Sequence, residues 1–184
     1  MNNVEINKNV KLSEHFTLAE MTKTSVKTKD GNIPSRVQIE NLKRLCGWLE
    51  RLREEYNRRY GGKLSPVDVC GTVPQCDTSH RWDSPGAEAP IIINSAYRSA
   101  AVNKAVGGAA TSNHLTGCAT DIRCEGIEQA IRYACILLDI SDESKEDFDE
   151  LFIEQSAKSI WVHFAVRPEG NRRKVDYLKN VKIG

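Results

Sequence analysis

Leu151-Phe152-Ile153-Glu154 and Ile160-Trp161-Val162-His163-Phe164-Ala165-Val166 are the stretches that decide the fold. Both are rich in β-branched and aromatic residues, and the short stretch 155–159 between them lets them pair as an antiparallel hairpin. Working outward, Ala119 to Arg123 reads as a further strand, and the apolar run Ile91-Ile92-Ile93, extended through Asn94, reads as a buried one. Thr17 and Glu20 stand at capping-box spacing, with Phe16 and Met21 placed as a hydrophobic staple, so a short helix begins there. Ser35 caps a longer helix whose apolar residues Val37, Leu42, Leu45, Trp48, Leu49, Leu52 and Tyr56 recur mostly at three- and four-residue steps. Ser99 caps a short helix closing at Gly107-Gly108, and Ile127, Ala130, Ile131, Ala134 and Leu138 define another. Acidic residues Asp139, Asp142, Glu143, Glu146 and Asp147 read as a solvated connection before the hairpin. Helices first, mixed elements next and strands last give an α+β class: a small, mainly antiparallel sheet with flanking helices.

With 184 residues the chain has room for one domain, 1–184, and enough length to bury a core without staples. Gly61 to Pro90 is rich in Gly, Pro, Ser, Asp and Thr and reads as a long loop or lid. Residues 167–184 read as a basic tail. Hydrophobic residues are 40% and charged residues 28%, which excludes a disordered or fibrous chain. The net charge of +1 supplies no general attraction to nucleic acid or anionic membrane. Arg44, Arg51, Arg58 and Arg59 lie on the long helix without interleaved aromatics, so they read as a solvated face rather than a nucleic-acid surface. No apolar run is long enough for a membrane span, and the first residues lack the pattern of a signal peptide. The expectation is a monomer made in the cytosol, without partners of either of those kinds.

Six cysteines, Cys46, Cys70, Cys76, Cys118, Cys124 and Cys135, would suggest a disulfide frame only in a small exported domain, so most are read as reduced. Cys46 and Cys135 fall among helix-periodic apolar residues, where a free cysteine acts as a small hydrophobe. Cys70, Cys76 and His80 share the long loop, but their spacing departs from the close pairs of a zinc loop.

The chemistry concentrates elsewhere. His114 in a loop, Gly117 and Asp121 on the following strand can converge on one cation. Neutral imidazole and carboxylate both suit zinc, and a catalytic zinc takes three protein ligands. His163 is the best third ligand, because it lies on the last strand with Trp161 on the same face to wall the site. His15 and His80 fit less well.

The arrangement Ser95-Ala96-Tyr97-Arg98-Ser99, then Ser112-Asn113-His114 running as HxxGxAxD through Asp121, then Trp161-Val162-His163, resembles the zinc D-Ala-D-Ala carboxypeptidase family. Its small carboxypeptidase and phage endolysin branch is the most similar, across about residues 11–166, with 61–90 as an insertion. That resemblance implies a hedgehog/DD-peptidase-like zinc-site fold, zinc on His114, Asp121 and His163, and a peptidoglycan peptide as substrate. It makes Arg98 the substrate-side arginine, suited to a carboxylate or an oxyanion, with a structural ion pair as the plain alternative. Tyr97, Ser112 and Trp161 join Arg98 as substrate-binding residues, and Ser112 could equally cap a turn.

Some members of that family place a carboxylate three residues before the last histidine, where this chain has Ile160. The small-peptidase branch points instead to the preceding strand, and Glu154 becomes the catalytic base; a one-residue slip in register would hand that role to Asp149 or Glu150. The implied function is a zinc-dependent peptidase cutting D-amino-acid-containing bonds of the cell wall, as a carboxypeptidase or an endopeptidase, reaching the wall on phage-type lysis. A non-catalytic zinc module on the same fold is the alternative.

Overall fold

A computed structural model describes residues 10–29, 31–60 and 88–179, so Cys70, Cys76, His80 and nearly all of the 61–90 insertion lie outside the described residues. Its elements are α1 (Leu18–Met21), α2 (Arg36–Tyr60), β1 (Ile93–Ser95), α3 (Ala100–Ala105), a 3-10 turn (Asn113–Thr116), β2 (Ala119–Cys124), α4 (Ile127–Ser144), β3 (Glu150–Gln155), β4 (Ile160–Ala165) and β5 (Lys174–Lys179). Helices and strands segregate as an α+β fold, and the five strands lie in the order β1-β2-β4-β3-β5.

The expected hairpin forms, with β3 antiparallel to β4 and Glu154 directly opposite Trp161. β4 also pairs antiparallel with β2, which sets Asp121 opposite His163. β5 adds itself parallel to β3 at the sheet edge, so the stretch read as a tail contributes a strand and the sheet is mixed.

Strand alternation gives the sheet two different faces. Ile122, Val162, Phe164 and Leu151 are buried against the helices in one core that includes Leu42, Leu45, Trp48, Leu49 and Leu52 of α2 and Tyr133, Ile136 and Leu137 of α4. The Trp48 and Phe164 rings meet at 5.3 Å. Asp121, His163, Trp161, Glu150, Phe152 and Glu154 all point to the other face.

Local signals place the helices. Thr17 Oγ1 accepts from the Glu20 amide, and Ser35 exchanges bonds with Gln38 in a reciprocal cap at the start of α2. Ser99 caps α3, which ends as Gly107 turns to φ +73°. Several expectations are corrected. Val37 is 72% exposed, because it lies on the first turn of α2 beyond the core. Ile127 and Ile131 are exposed while Tyr133, Ile136, Leu137 and Ile140 are buried, so the inward stripe of α4 is rotated from the expected one. α4 also runs on through the acidic residues Asp139, Asp142 and Glu143, whose charges stay on its surface. Cys135 is exposed on it rather than packed inside, while Cys46, Cys118 and Cys124 are buried free thiols. Ile92 is exposed too, because the first strand begins at Ile93 and pairs irregularly with β2.

Candidate metal centre

His114 enters the site from the 3-10 turn. Ser112 Oγ accepts from the His114 amide and starts this turn, and Gly117 closes it at φ +73°. A Cβ on Gly117 would stand 2.8 Å from the Gln38 carbonyl oxygen, so the turn both needs the left-handed region and presses on α2. The chain then enters β2, which delivers Asp121 seven residues after the histidine. β4 supplies His163 from the register opposite.

Asp121 Oδ1 lies 3.3 Å from His114 Nε2 and 2.9 Å from His163 Nδ1. The three ligand atoms fall within 4.8 Å of one another. Four-coordinate zinc with bonds of about 2.0–2.2 Å separates neighbouring ligand atoms by roughly 3.3 Å, so the spacing and the N, N, O donor set fit such an ion. Each residue is also held from behind. His114 Nδ1 lies 2.6 Å from the Ala96 carbonyl, a contact that orients the ring with Nε2 toward Asp121. Arg98 Nη2 donates to Asp121 Oδ2 at 2.5 Å, and its Nε donates to Ser95 Oγ. His163 Nε2 lies 3.4 Å from Glu150 Oε2.

The electrostatics are those of a cation site. Burial works against a charged Asp121, yet His114 and His163 outweigh it and hold the carboxyl far below the usual range. Burial also disfavours a charged His163, but the carboxylates of Asp121 and Glu150 at its two ring nitrogens raise its pKa to about 10. The negative potential that keeps a proton on this ring equally favours a metal ion in the proton's place.

A cavity of about 410 Å³ opens over the three residues, lined further by Arg98, Ser112, Glu154 and Trp161. Gly107, Gly108, Ala109, Asn94 and Ser159 also line it. Glu154 faces this cavity because the register sets it beside Trp161, whose Nε1 donates to its Oε2 at 2.6 Å. Burial is the main influence on the Glu154 carboxyl and pushes it above its ordinary value.

The other two acidic candidates are engaged elsewhere. Asp149 is fully buried and takes bonds from Asn113, Arg167 and Arg172. Glu150 takes bonds from Asn113 and Arg172 besides the contact to His163, and neither Asp149 nor Glu150 lines the cavity. Tyr97, expected to bind substrate, does not line it: the ring is 5% exposed, packed in the core, and its hydroxyl lies 3.3 Å from the Ile33 carbonyl. Ser112 caps the turn, one of the two readings given to it, and it also lines the cavity.

Sequence reasoning gave no site role to four contributors: Phe152, stacked on the His163 ring at 5.6 Å, Asn113, Arg167 and Arg172. The alternation Glu150-x-Phe152-x-Glu154 could have put Phe152 on the histidine's face; nothing local marks the two arginines, which act across the sheet.

Residues 75–156 match the family model described as Peptidase M15. That span carries Arg98, Ser112, His114, Asp121 and Glu154, and it ends before His163. None of the curated proteins compared matches the chain.

Proposed function

Given an M15 peptidase family chain, as the match over residues 75–156 supports, we propose that it is a zinc-dependent peptidase hydrolysing D-amino-acid-containing bonds in bacterial peptidoglycan peptides. The observation that carries this reading is the meeting of His114, Asp121 and His163 within 4.8 Å beneath a cavity that also holds Glu154. A metal ion bound by these three residues supplies Lewis acidity, polarising a peptide carbonyl and acidifying a water. The cell-wall substrate and a hedgehog/DD-peptidase-like fold rest on the motifs that run from Ser95 to His163.

The remaining work falls to the chain's own groups. Glu154 Oε2 is occupied by the Trp161 indole, which leaves Oε1 to take a proton from the attacking water and return it to the departing amine nitrogen. The water oxygen adds to the carbonyl carbon, the C–N bond breaks, and the proton on the amine balances the one removed from water. A carboxylate whose proton affinity is raised by burial is a stronger base than an ordinary glutamate. Arg98 fixes Asp121 through Nη2 and keeps positive charge at the cavity, where a substrate carboxylate or the developing oxyanion would lie. Trp161 and Ser112 supply an apolar wall and a hydroxyl for the peptide. We place this action, by a monomer, at the wall after phage-type lysis.

The test is mass spectrometry of cell-wall peptides digested by the purified protein, together with its zinc content. Cleavage beside a D-residue with one zinc per chain is expected, and the bond cut separates carboxypeptidase from endopeptidase action. His114→Ala should remove both metal and cleavage. Zinc without cleavage of any wall peptide would mark a non-catalytic zinc module instead; no zinc and no gain from adding it would end the reading altogether.

A further inference from the structure

Glu150 is a partly buried acidic residue of this face that the catalytic reading leaves unused. It is diagonal to His163: β3 sets Phe152 opposite His163 and Glu150 opposite Ala165. Its side chain is 17% exposed, and its two oxygens are divided between different tasks. Oε2 accepts from Asn113 Nδ2 at 2.9 Å and lies 3.4 Å from His163 Nε2, while Oε1 takes the Arg172 guanidinium. Asn113 immediately precedes the first candidate ligand, His114, and the same Nδ2 also donates to Asp149 at 2.7 Å. Arg172 spans Asp149 and Glu150 together, and Arg167 closes on Asp149 at 2.8 Å.

We propose that Glu150 is a positioning residue for the metal centre: it holds His163 by the nitrogen that faces away from Asp121, and Arg172, reaching in from the chain after β4, holds Glu150 in place. This rests on the reading that His114, Asp121 and His163 bind a divalent cation. A carboxylate behind a ligating imidazole fixes its tautomer and raises its basicity. His163 needs such a partner because Phe152 restrains only the plane of its ring. His114 obtains its counterpart from the Ala96 carbonyl, a neutral backbone group, so of the two histidines His163 is the one backed by a negative charge. The arrangement also explains why residues 167–173 fold back onto the sheet. The Arg172 and Arg173 amides donate to Asp149 Oδ1 and the Phe148 carbonyl, which seats both arginines before β5 begins.

The experiment measures zinc affinity by competition with a chromophoric chelator, and the visible spectrum of the cobalt-substituted protein, for wild type, Glu150→Gln, Glu150→Asp and Arg172→Gln. Glu150→Gln is close in shape and keeps an acceptor, so it removes charge while preserving the fold. The expected result is a zinc affinity 10–100-fold weaker with the stoichiometry at saturation retained, a displaced cobalt spectrum, partial recovery in Glu150→Asp, and a smaller loss in Arg172→Gln. Wild-type affinity and an unchanged cobalt spectrum in Glu150→Gln would overturn the proposal. So would that variant losing turnover at unchanged affinity, which would make Glu150 the base. Failure of the wild type itself to bind zinc would overturn the underlying metal reading as well, and that outcome is visible before any variant is compared.

Discussion

Glu150 and Glu154 sit at the two ends of β3, each two residues from Phe152, on one face of one strand, and the fold treats them in opposite ways. At one end Asn113 and Arg172 surround the carboxylate. Its bond to His163, with the others behind it, lowers Glu150 to a pKa of about 2. At the other end Glu154 has, among the described residues, one hydrogen-bond donor, the Trp161 indole, and burial raises it. Identical side chains thus diverge through neighbours: a saturated carboxylate can orient, whereas one left with an open oxygen in a cavity can accept a proton.

The largest expected effect breaks the comparison at its reactive end. Glu154→Gln should lower kcat by roughly 10²–10⁴-fold, the usual worth of a general base, with zinc content unchanged. If that variant stays active, the two ends of the strand are not divided into base and orienting group. Next in size is the buried anchor beside the other end. Asp149→Ala leaves Arg167 and Arg172 facing a vacated carboxylate site and should cost about 3 kcal/mol of unfolding free energy, read from denaturant titration. Both guanidiniums are partly exposed and can turn to water, which keeps the loss at the low end of the range for buried pairs. Asp149 is lowered, against its burial, chiefly by its bonds to Arg172 and Asn113. A depressed carboxyl contributes stability that is fully present above its unfolded value of 3.8 and is lost as pH falls through the folded one. The wild type should therefore weaken below about pH 4 more steeply than the variant.

Much of this was legible in sequence because it is local. Caps at Thr17, Ser35 and Ser99, the period of α2, and the strand pattern of 151–154 and 160–166 all depend on near neighbours. The triad was legible for a related reason: His114 and Asp121 are tied by one turn and one strand, and His163 needed only the right face. Glu154 depended on register, which residue pattern alone leaves open to a one-residue slip; the β3–β4 pairing sets it beside Trp161. What sequence did not show is carried by packing at long range. Tyr97 belongs to the site motif by position but is drawn into the core, where its amide also meets the Met21 carbonyl. Residues 174–179 look like a charged tail because an edge strand is solvated along most of its length, yet β3 offers it a free edge. Arg172 joins Glu150 across 22 residues, and no periodicity records such a pair.

Two smaller effects sharpen the contrast. Trp161→Phe removes the only donor to Glu154 among the described residues while keeping the aromatic wall. Loss of a bond to the ionised form should raise the Glu154 carboxyl further, so the acidic limb of the kcat/KM profile moves to higher pH, with roughly tenfold lower kcat/KM at its plateau. The smallest expected quantity is a coupling. The two carboxylates are four residues apart on an extended strand, roughly 13 Å by the strand rise, and share no hydrogen-bond partner among the described residues. In a double-mutant cycle, Glu150→Gln and Glu154→Gln should combine in kcat at saturating zinc with an interaction energy below about 0.5 kcal/mol. A larger value would mean that His163, lying between them, passes the loss at one end to the other, and the division of labour along β3 would then be a single charged unit.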